Sequence, residues 1–374
     1  MKKIAYLAAA VSAVSMASAA HAAPKTQPIA GQYVCQFDAS VAPGNVRAEA
    51  ARAANPSGGK LLFTYADSIR GFAVKMPAGA SVRADIANLR ANNANIASCE
   101  QDLEITLNVA PPTGKGPKGG GSDPAQDVDW GVQVVGSGAP ISGRTAYVID
   151  SGVDLDHPDL NVVGAGFYSV GRNADDQNGH GTHVAGTIGA VDNAIGFKGV
   201  APGAPIVAVR VLDRRGSGST SGVIAGVNWV AANASPGDVA NMSLGGGIST
   251  SLDDAVKAAA AKGIKMVLAA GNESRDAGTS SPARAEGPNI FTISAVDSNN
   301  RLASFSNYGS VVDYAEPGVG IASTYKDGGY ARLSGTSMAA PHAAGILMTQ
   351  GTISNGGAIT DTSGDGKVEQ LGVR

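Results

Sequence analysis

Three glycine-bounded stretches place a carboxylate, an imidazole and a hydroxyl in that order along the chain. They are Tyr147-Val148-Ile149-Asp150-Ser151-Gly152, Asn178-Gly179-His180-Gly181-Thr182-His183-Val184-Ala185-Gly186 and Ser334-Gly335-Thr336-Ser337-Met338-Ala339-Ala340-Pro341-His342. A serine hydroxyl is a weak nucleophile until an adjacent base takes its proton, and the base works best when a third group fixes its ring. Read this way, Ser337 is the nucleophile, His180 the base, and Asp150 the group that orients it. Ser337 opens a helix of small residues, where its own N–H and the helix dipole would face a developing negative charge. Asn272, just after an apolar strand and Gly271, supplies a side-chain amide that would complete such an oxyanion site.

Other chemistries use some of the same residues. Asp150-Ser151-Gly152 matches the Asp-Ser/Thr-Gly signature of aspartic proteases, but that mechanism needs two such aspartates and the chain has one copy. His180 and His183 are spaced like a zinc pair, yet the glutamate of the His-Glu-x-x-His helix is missing and no third ligand is identified. Pro341 follows Ser337 closely, where the first-turn N–H groups lack intrahelical partners and a proline is tolerated.

The elements that must position these residues fall into two patterns. From Ile29 to Glu104 the order is strand (29–37), helix (45–54), strand (61–65), strand (71–76), helix (81–90) and strand (96–104), a ferredoxin-like β-α-β-β-α-β succession. Its first and last strands are neighbours, which brings Cys35 and Cys99 close. Whether these two cysteines pair or stay as buried thiols is left open by the spacing. Residues 111–124 are rich in Gly, Pro, Lys and Ser and read as an exposed linker. From Ala125 onward, apolar strands at 145–150, 206–211, 239–244, 265–270 and 291–296 alternate with helices at 181–190, 219–234, 250–262 and 337–348. Nearly continuous apolar strands indicate a parallel sheet covered on both faces, with ligands bound beyond the strand C-termini, where Asp150 falls.

Composition bounds the function. The 374 residues carry a formal charge of -3 without a long basic run, which disfavours nucleic acid or an anionic membrane as partner. Met1-Lys2-Lys3, an alanine-rich apolar run to about Ala20 and Ala20-His21-Ala22 predict a secretory signal over 1–22, too short to span a membrane comfortably. The mature protein is therefore expected to be secreted.

Taken together and in order, these stretches resemble the subtilisin-like serine proteases (subtilases). The resemblance runs from Ala125 to Thr349 and includes Ala125-Gln126-Asp127-Val128-Asp129-Trp130-Gly131-Val132 and Asn241-Met242-Ser243-Leu244-Gly245-Gly246. It implies an α/β fold of three layers with a mostly parallel central sheet, and a serine endopeptidase made as a self-processing precursor. Segment 23–108 resembles the family's inhibitory propeptide, itself a partner as inhibitor and folding aid, with 109–124 as linker and 125–374 as catalytic domain. By the same resemblance, Ser243, Leu244 and Gly245 and the Arg215-Gly216-Ser217-Gly218 stretch form two edges between which an extended peptide lies. Ala269, Ala270, Gly271 and Asn272 would line the primary specificity pocket with Pro282 opposite, a pocket for large apolar side chains in which Glu273 would tolerate a basic one. The resemblance also implies a Ca2+ site from the carbonyls of Val191, Ile195 and Phe197 and the side chains of Asn193, Asp159 and Gln126, an all-oxygen set suited to that ion. Asp361 to Gly366 lacks the twelfth-position glutamate of a calcium loop and reads as a turn. Protein or peptide substrates and a monomeric state complete the expectation, against a noncatalytic peptide-binding relative as the rival. After Ser337 the chain is shorter than is usual for the family, so its last helix and strand are expected to be reduced or replaced.

Overall fold

A computed structural model describes residues 27–107, 124–367 and 369–374. The predicted signal and nearly all of the predicted linker lie outside these residues. The N-terminal unit consists of β1 (Pro28–Phe37), α1 (Val46–Ala54), β2 (Lys60–Tyr65), β3 (Gly71–Lys75), α2 (Val82–Asn92) and β4 (Ile96–Thr106). Its strands lie in the order β2-β3-β1-β4 with antiparallel pairing throughout, the ferredoxin-like arrangement. Ser81 caps α2 by accepting from the Ala84 N–H. One sheet face packs Tyr33, Phe37 and Phe72 against Ala50 of α1 and Leu89 of α2. Cys35 and Cys99 sit opposite each other in the β1–β4 register and are joined as a disulfide. Closing a loop with a sequence separation of 64 removes unfolded-chain entropy worth about 4 kcal/mol in the chain-entropy account.

The second unit contains α3 (Trp130–Val135), β5 (Ala146–Asp150), β6 (Val162–Tyr168), α4 (His180–Gly189), β7 (Ile206–Arg210), β8 (Ser217–Ser219), α5 (Thr220–Asn233) and β9 (Val239–Met242). It continues through α6 (Thr250–Ala261), β10 (Lys265–Ala269), β11 (Ile290–Val296), β12 (Tyr314–Pro317), the hairpin β13 (Ile321–Tyr325) and β14 (Gly329–Leu333), α7 (Thr336–Gln350), β15 (Ser354–Ala358) and β16 (Gln370–Val373). The main sheet runs β15-β16-β12-β11-β10-β9-β5-β7-β6 and is parallel except for β15. Strands β5, β9 and β10 are adjacent, so Asp150, Ser243 and Asn272 all emerge at the same sheet end.

Two cores cover the two faces. On one, Val223, Ile224 and Val227 of α5 and Leu252 and Val256 of α6 pack on Ile149, Val209, Met242 and Leu268. On the other, Val184 and Ile188 of α4 and Ala340, Ala344 and Leu347 of α7 pack on Val148, Ala208, Val267 and Ile293. This is why the strands carry apolar residues at successive positions rather than alternate ones. Strand β6 escapes the sequence pattern because Gly164 and Gly166 interrupt it and it is partly exposed. Strand β12 escapes because Glu316, fully buried, stands among its four residues; burial pushes that carboxyl well above the usual range.

After α7 no further helix follows among the described residues. Instead β16 adds to the sheet beside β12 with Leu371 opposite Ala315, and β15 pairs with it antiparallel, so the expected reduction of the terminal elements takes the form of a strand pair. Asp361 accepts from the N–H and hydroxyl of Ser363, and Asp365 from the Lys367 N–H, consistent with a succession of turns.

His342, fully buried inside α7, donates its Nδ1–H to the Met338 carbonyl at 2.9 Å, and burial lowers its pKa to about 4. A base depressed from 6.5 in the folded state is protonated first in the unfolded chain, so its stabilising contribution is complete above pH 6.5 and is lost as pH falls toward 4. Relative to H342Q, the wild-type protein should lose about 1.4 kcal/mol for each pH unit through that window. Denaturant titrations at stepped pH check this, and parallel pH profiles for the two proteins would contradict it.

Candidate active site

Asp150 ends β5, completely buried, and its Oδ1 accepts from the Ser151 N–H at 2.6 Å. His180 opens α4, and its Nδ1 lies 2.8 Å from Asp150 Oδ1 and 3.0 Å from Oδ2. With Nδ1–H directed to the carboxylate, Nε2 is the lone-pair nitrogen, the tautomer a general base needs. Local backbone geometry makes this contact possible. Gly179, at φ 108°, turns the chain into the helix against the ring of Tyr325. Gly181 packs so closely on β5 that a Cβ there would stand 2.0 Å from the Gly152 carbonyl oxygen. Glycine at 181 therefore lets the first turn of α4 lie directly on the end of β5.

A further residue, not singled out from sequence, holds this turn. Buried Asp176 accepts from the N–H groups of Asn178, Gly179 and Thr182 and from the hydroxyls of Thr182 and Ser151. Ser151 in turn accepts from the Gly181 N–H at 3.0 Å. Desolvation raises the Asp176 pKa although these hydrogen bonds oppose it. The available signal was an aspartate followed by Asn178-Gly179, a common turn combination.

Ser337 is the second residue of α7 and is nearly buried. Its Oγ donates to the Ser243 carbonyl at 3.0 Å, while the Ser243 hydroxyl donates to the Ser337 carbonyl at 2.8 Å. The second bond has a cause in the sequence. Pro341 lies beyond the first turn, contrary to the expectation above, and its missing N–H leaves the carbonyl four residues earlier, that of Ser337, to be satisfied from outside the helix. Among the described residues, His180 Nε2 has no hydrogen-bond partner, so the structure joins Asp150 to His180 but not His180 to Ser337.

Asn272 follows β10 and Gly271. Its Oδ1 accepts from the Thr336 N–H at 2.8 Å and from the Thr336 hydroxyl at 3.0 Å, which fixes the amide plane. A methyl group on Gly335 would stand 3.4 Å from Asn272 Nδ2 and 3.7 Å from the Ser337 nitrogen, so the two donors border one small space.

The second histidine of the pair is a different kind of residue. His183 is fully buried, donates Nε2–H to the Ile321 carbonyl at 3.0 Å, and has its pKa lowered to about 3, chiefly by burial and then by the charge of His180. With Nδ1 of His180 on Asp150 and Nε2 of His183 on a carbonyl, the two rings are engaged separately. No group of three or more His, Cys, Asp or Glu suited to a metal occurs among the described residues.

The cleft beside Ser337 holds the end of the N-terminal unit. Glu104, Ile105 and Thr106 pair antiparallel with Ser219, Gly218 and Ser217 of β8, and the Leu107 N–H donates to the Gly216 carbonyl at 2.9 Å. Ile105 is buried in the core that contains Leu212, Val223 and Leu244. Thr106 and Leu107 border a cavity whose walls include Ser243, Leu244, Gly245, Ala269, Ala270, Gly271, Asn272 and Ser337. Of the two expected edges, the Gly216–Ser219 side carries the described strand ladder, and the 243–245 side forms a wall of the cavity. Pro282 does not line that cavity; its neighbours Ser281 and Ala283 do. Glu273 is part of the lining, and its Oε2 accepts from the Asn272 N–H and from Asn307 Nδ2 and lies 3.9 Å from Arg275 Nε.

The six residues of the expected cation site gather around Asp159. Its carboxylate accepts from Asn193 Nδ2 at 2.9 Å and the Phe197 N–H at 3.1 Å, and Gln126 Nε2 donates to the Val191 carbonyl at 2.8 Å. Asn193 Oδ1 accepts from the Ile195 N–H. One buried carboxylate linked through these hydrogen bonds to two amides and the Val191 carbonyl is an oxygen-bearing set of the kind a hard cation takes, once the amides turn oxygen in place of nitrogen.

The geometry defines an α/β protein in which Asp150 and His180 are hydrogen-bonded at a strand end and Ser337 opens a helix bonded to the end of the neighbouring strand β9. Residues 143–349, more than half of the chain, match the model of the subtilase family, and the chain belongs to that family. It is 53% identical over 209 residues to alkaline serine exoprotease A of Vibrio alginolyticus, covering 55% of this chain and 38% of that protein. It is 45% identical over 229 residues to subtilisin Savinase of Lederbergia lenta, covering 59% of this chain and 83% of that protein. A solved structure titled as a cold adapted subtilisin-like serine proteinase superposes with a TM-score of 0.55 at 48% identity, covering 59% of this chain and 83% of that one. Matches with the Vibrio protein and with a cuticle-degrading protease of Arthrobotrys oligospora span 38% and 54% of those relatives' lengths. No helix among the described residues is long and apolar enough to cross a membrane.

Proposed function

We propose that the protein is an exported serine endopeptidase made as a self-processing precursor. The buried Asp150–His180 pair, set against the end of the sheet from which Ser243 and Asn272 also emerge, is the observation that carries this reading. Ser337 Oγ attacks the scissile carbonyl carbon as His180 Nε2 takes its proton, so the hydroxyl turns from the Ser243 carbonyl to the imidazole when substrate arrives. The tetrahedral oxyanion is held by the Ser337 N–H and Asn272 Nδ2. His180 then protonates the leaving amine, and the acyl-enzyme is cleared by a water that His180 deprotonates in turn. Asp150 stabilises the imidazolium without itself taking a proton.

Segment 23–108 acts as propeptide, inhibitor and folding aid. Its final strand lies in the cleft as a substrate would, so the first cut is placed shortly after Leu107. Accordingly, S337A should accumulate as uncut full-length chain, and N-terminal sequencing of the wild type should find a new terminus within a few residues of Leu107. Normal processing of S337A would refute the assignment. In N272D, the Thr336-facing oxygen is kept and the Nδ2 donor is lost, so kcat should fall on the order of 10²–10³ with KM little changed. An equal loss in KM would point to a binding role instead.

Gln126, Asp159, Asn193 and the carbonyls of Val191, Ile195 and Phe197 would hold Ca2+, which when bound ties the 191–197 loop to the strand-end segment through its charge. Chelation should lower the unfolding midpoint by about 5 °C or more, and N193A should erase that difference. An unchanged midpoint on chelation would show that the loop holds no calcium.

A further inference from the structure

The strand that enters the cleft makes two charged contacts before it gets there. Glu100 and Asp102 are two residues apart on β4 and so point to the same face. Glu100 accepts from the Thr250 and Ser251 N–H groups, each at 3.2 Å, and from the Ser249 hydroxyl, at the start of the 12-residue α6. Asp102 accepts from the N–H of Ser221 at 3.0 Å and its hydroxyl at 2.5 Å, at the start of the 14-residue α5, and also from Gln32 within its own unit. Beyond Asp102 the same strand runs directly onto β8 and reaches the cavity at Leu107. Apart from Gln32, all these donors belong to the enzyme body and remain when the N-terminal unit leaves.

We propose that the N-termini of α5 and α6 form an acidic-peptide exosite that selects extended substrate segments with carboxylates five and seven residues upstream of the residue occupying the Leu107 position. The inference rests on the endopeptidase reading and adds a specificity to it. Orphan N–H groups and the positive helix ends suit a carboxylate at each point, against the burial that raises the Asp102 pKa, and the ladder of residues 104–106 on β8 leads from those points to the cleft. The observed occupant shows the match: carboxylates two residues apart meet two helix starts, each capped by a hydroxyl residue. A substrate that reproduces this spacing and stays extended upstream of the β8 ladder gains both contacts. One with amides there keeps the shape and loses the charge.

Enzyme matured from the full chain tests this with a pair of peptides spanning residues 98–112, Cys99 replaced by Ser, one bearing Glu100 and Asp102 and the other E100Q/D102N, alongside a short peptide beginning at Glu104. At low ionic strength the acidic peptide should be cut with a kcat/KM about tenfold or more above its amide counterpart, the difference lying in KM and shrinking as salt is added. Equal kcat/KM for the pair, with the short peptide cut normally, would overturn the exosite. Failure to cut all three would instead bring down the endopeptidase reading and this inference with it.

Discussion

The contact between Asp150 and His180 is the constraint around which the second unit is arranged. A carboxylate with no exposure must be hydrogen-bonded, and here it is satisfied by the imidazole and the next backbone N–H. That requirement dictates a helix starting immediately above the end of a central strand, with no side chain between them at 181 and a left-handed residue before it at 179. The Asp176 network then holds the turn from which the helix springs. Removing any of these would leave a buried carboxylate short of partners, a cost that neighbouring packing does not recover.

The nucleophile is anchored by a comparable exchange between two serines. A proline one turn into α7 deprives the Ser337 carbonyl of its helical partner, and Ser243, itself held by Asn241 Nδ2, supplies one. The end of β9 is thereby bonded to the beginning of α7. A feature that looks like a helix defect becomes the link between the cleft wall and the reactive residue.

Much of this was legible in the sequence because chemistry-bearing residues stood at changes of hydrophobic pattern. Asp150 closes an apolar strand, His180 and Ser337 open helices of small residues, and the strands of the parallel core read as continuous apolar runs because both faces are covered. The ferredoxin-like unit was readable from alternating strands and helices with a serine cap at 81. What escaped had physical reasons. Strand β6 is glycine-interrupted, β12 hides a buried glutamate, and β8 is three polar or glycine residues whose strand character comes from the partner it pairs with. The role of Glu273 depends on Asn307, distant in sequence, and that of Asp176 on contacts spread from 151 to 182, so neither could be settled from local spacing.

Both cysteines of the chain lie in the unit that docks, and the body bearing Asp150, His180 and Ser337 has none. The crosslink joins β1 to β4, the strand that reaches the cleft, so it braces the docking unit alone and leaves the body to its own packing.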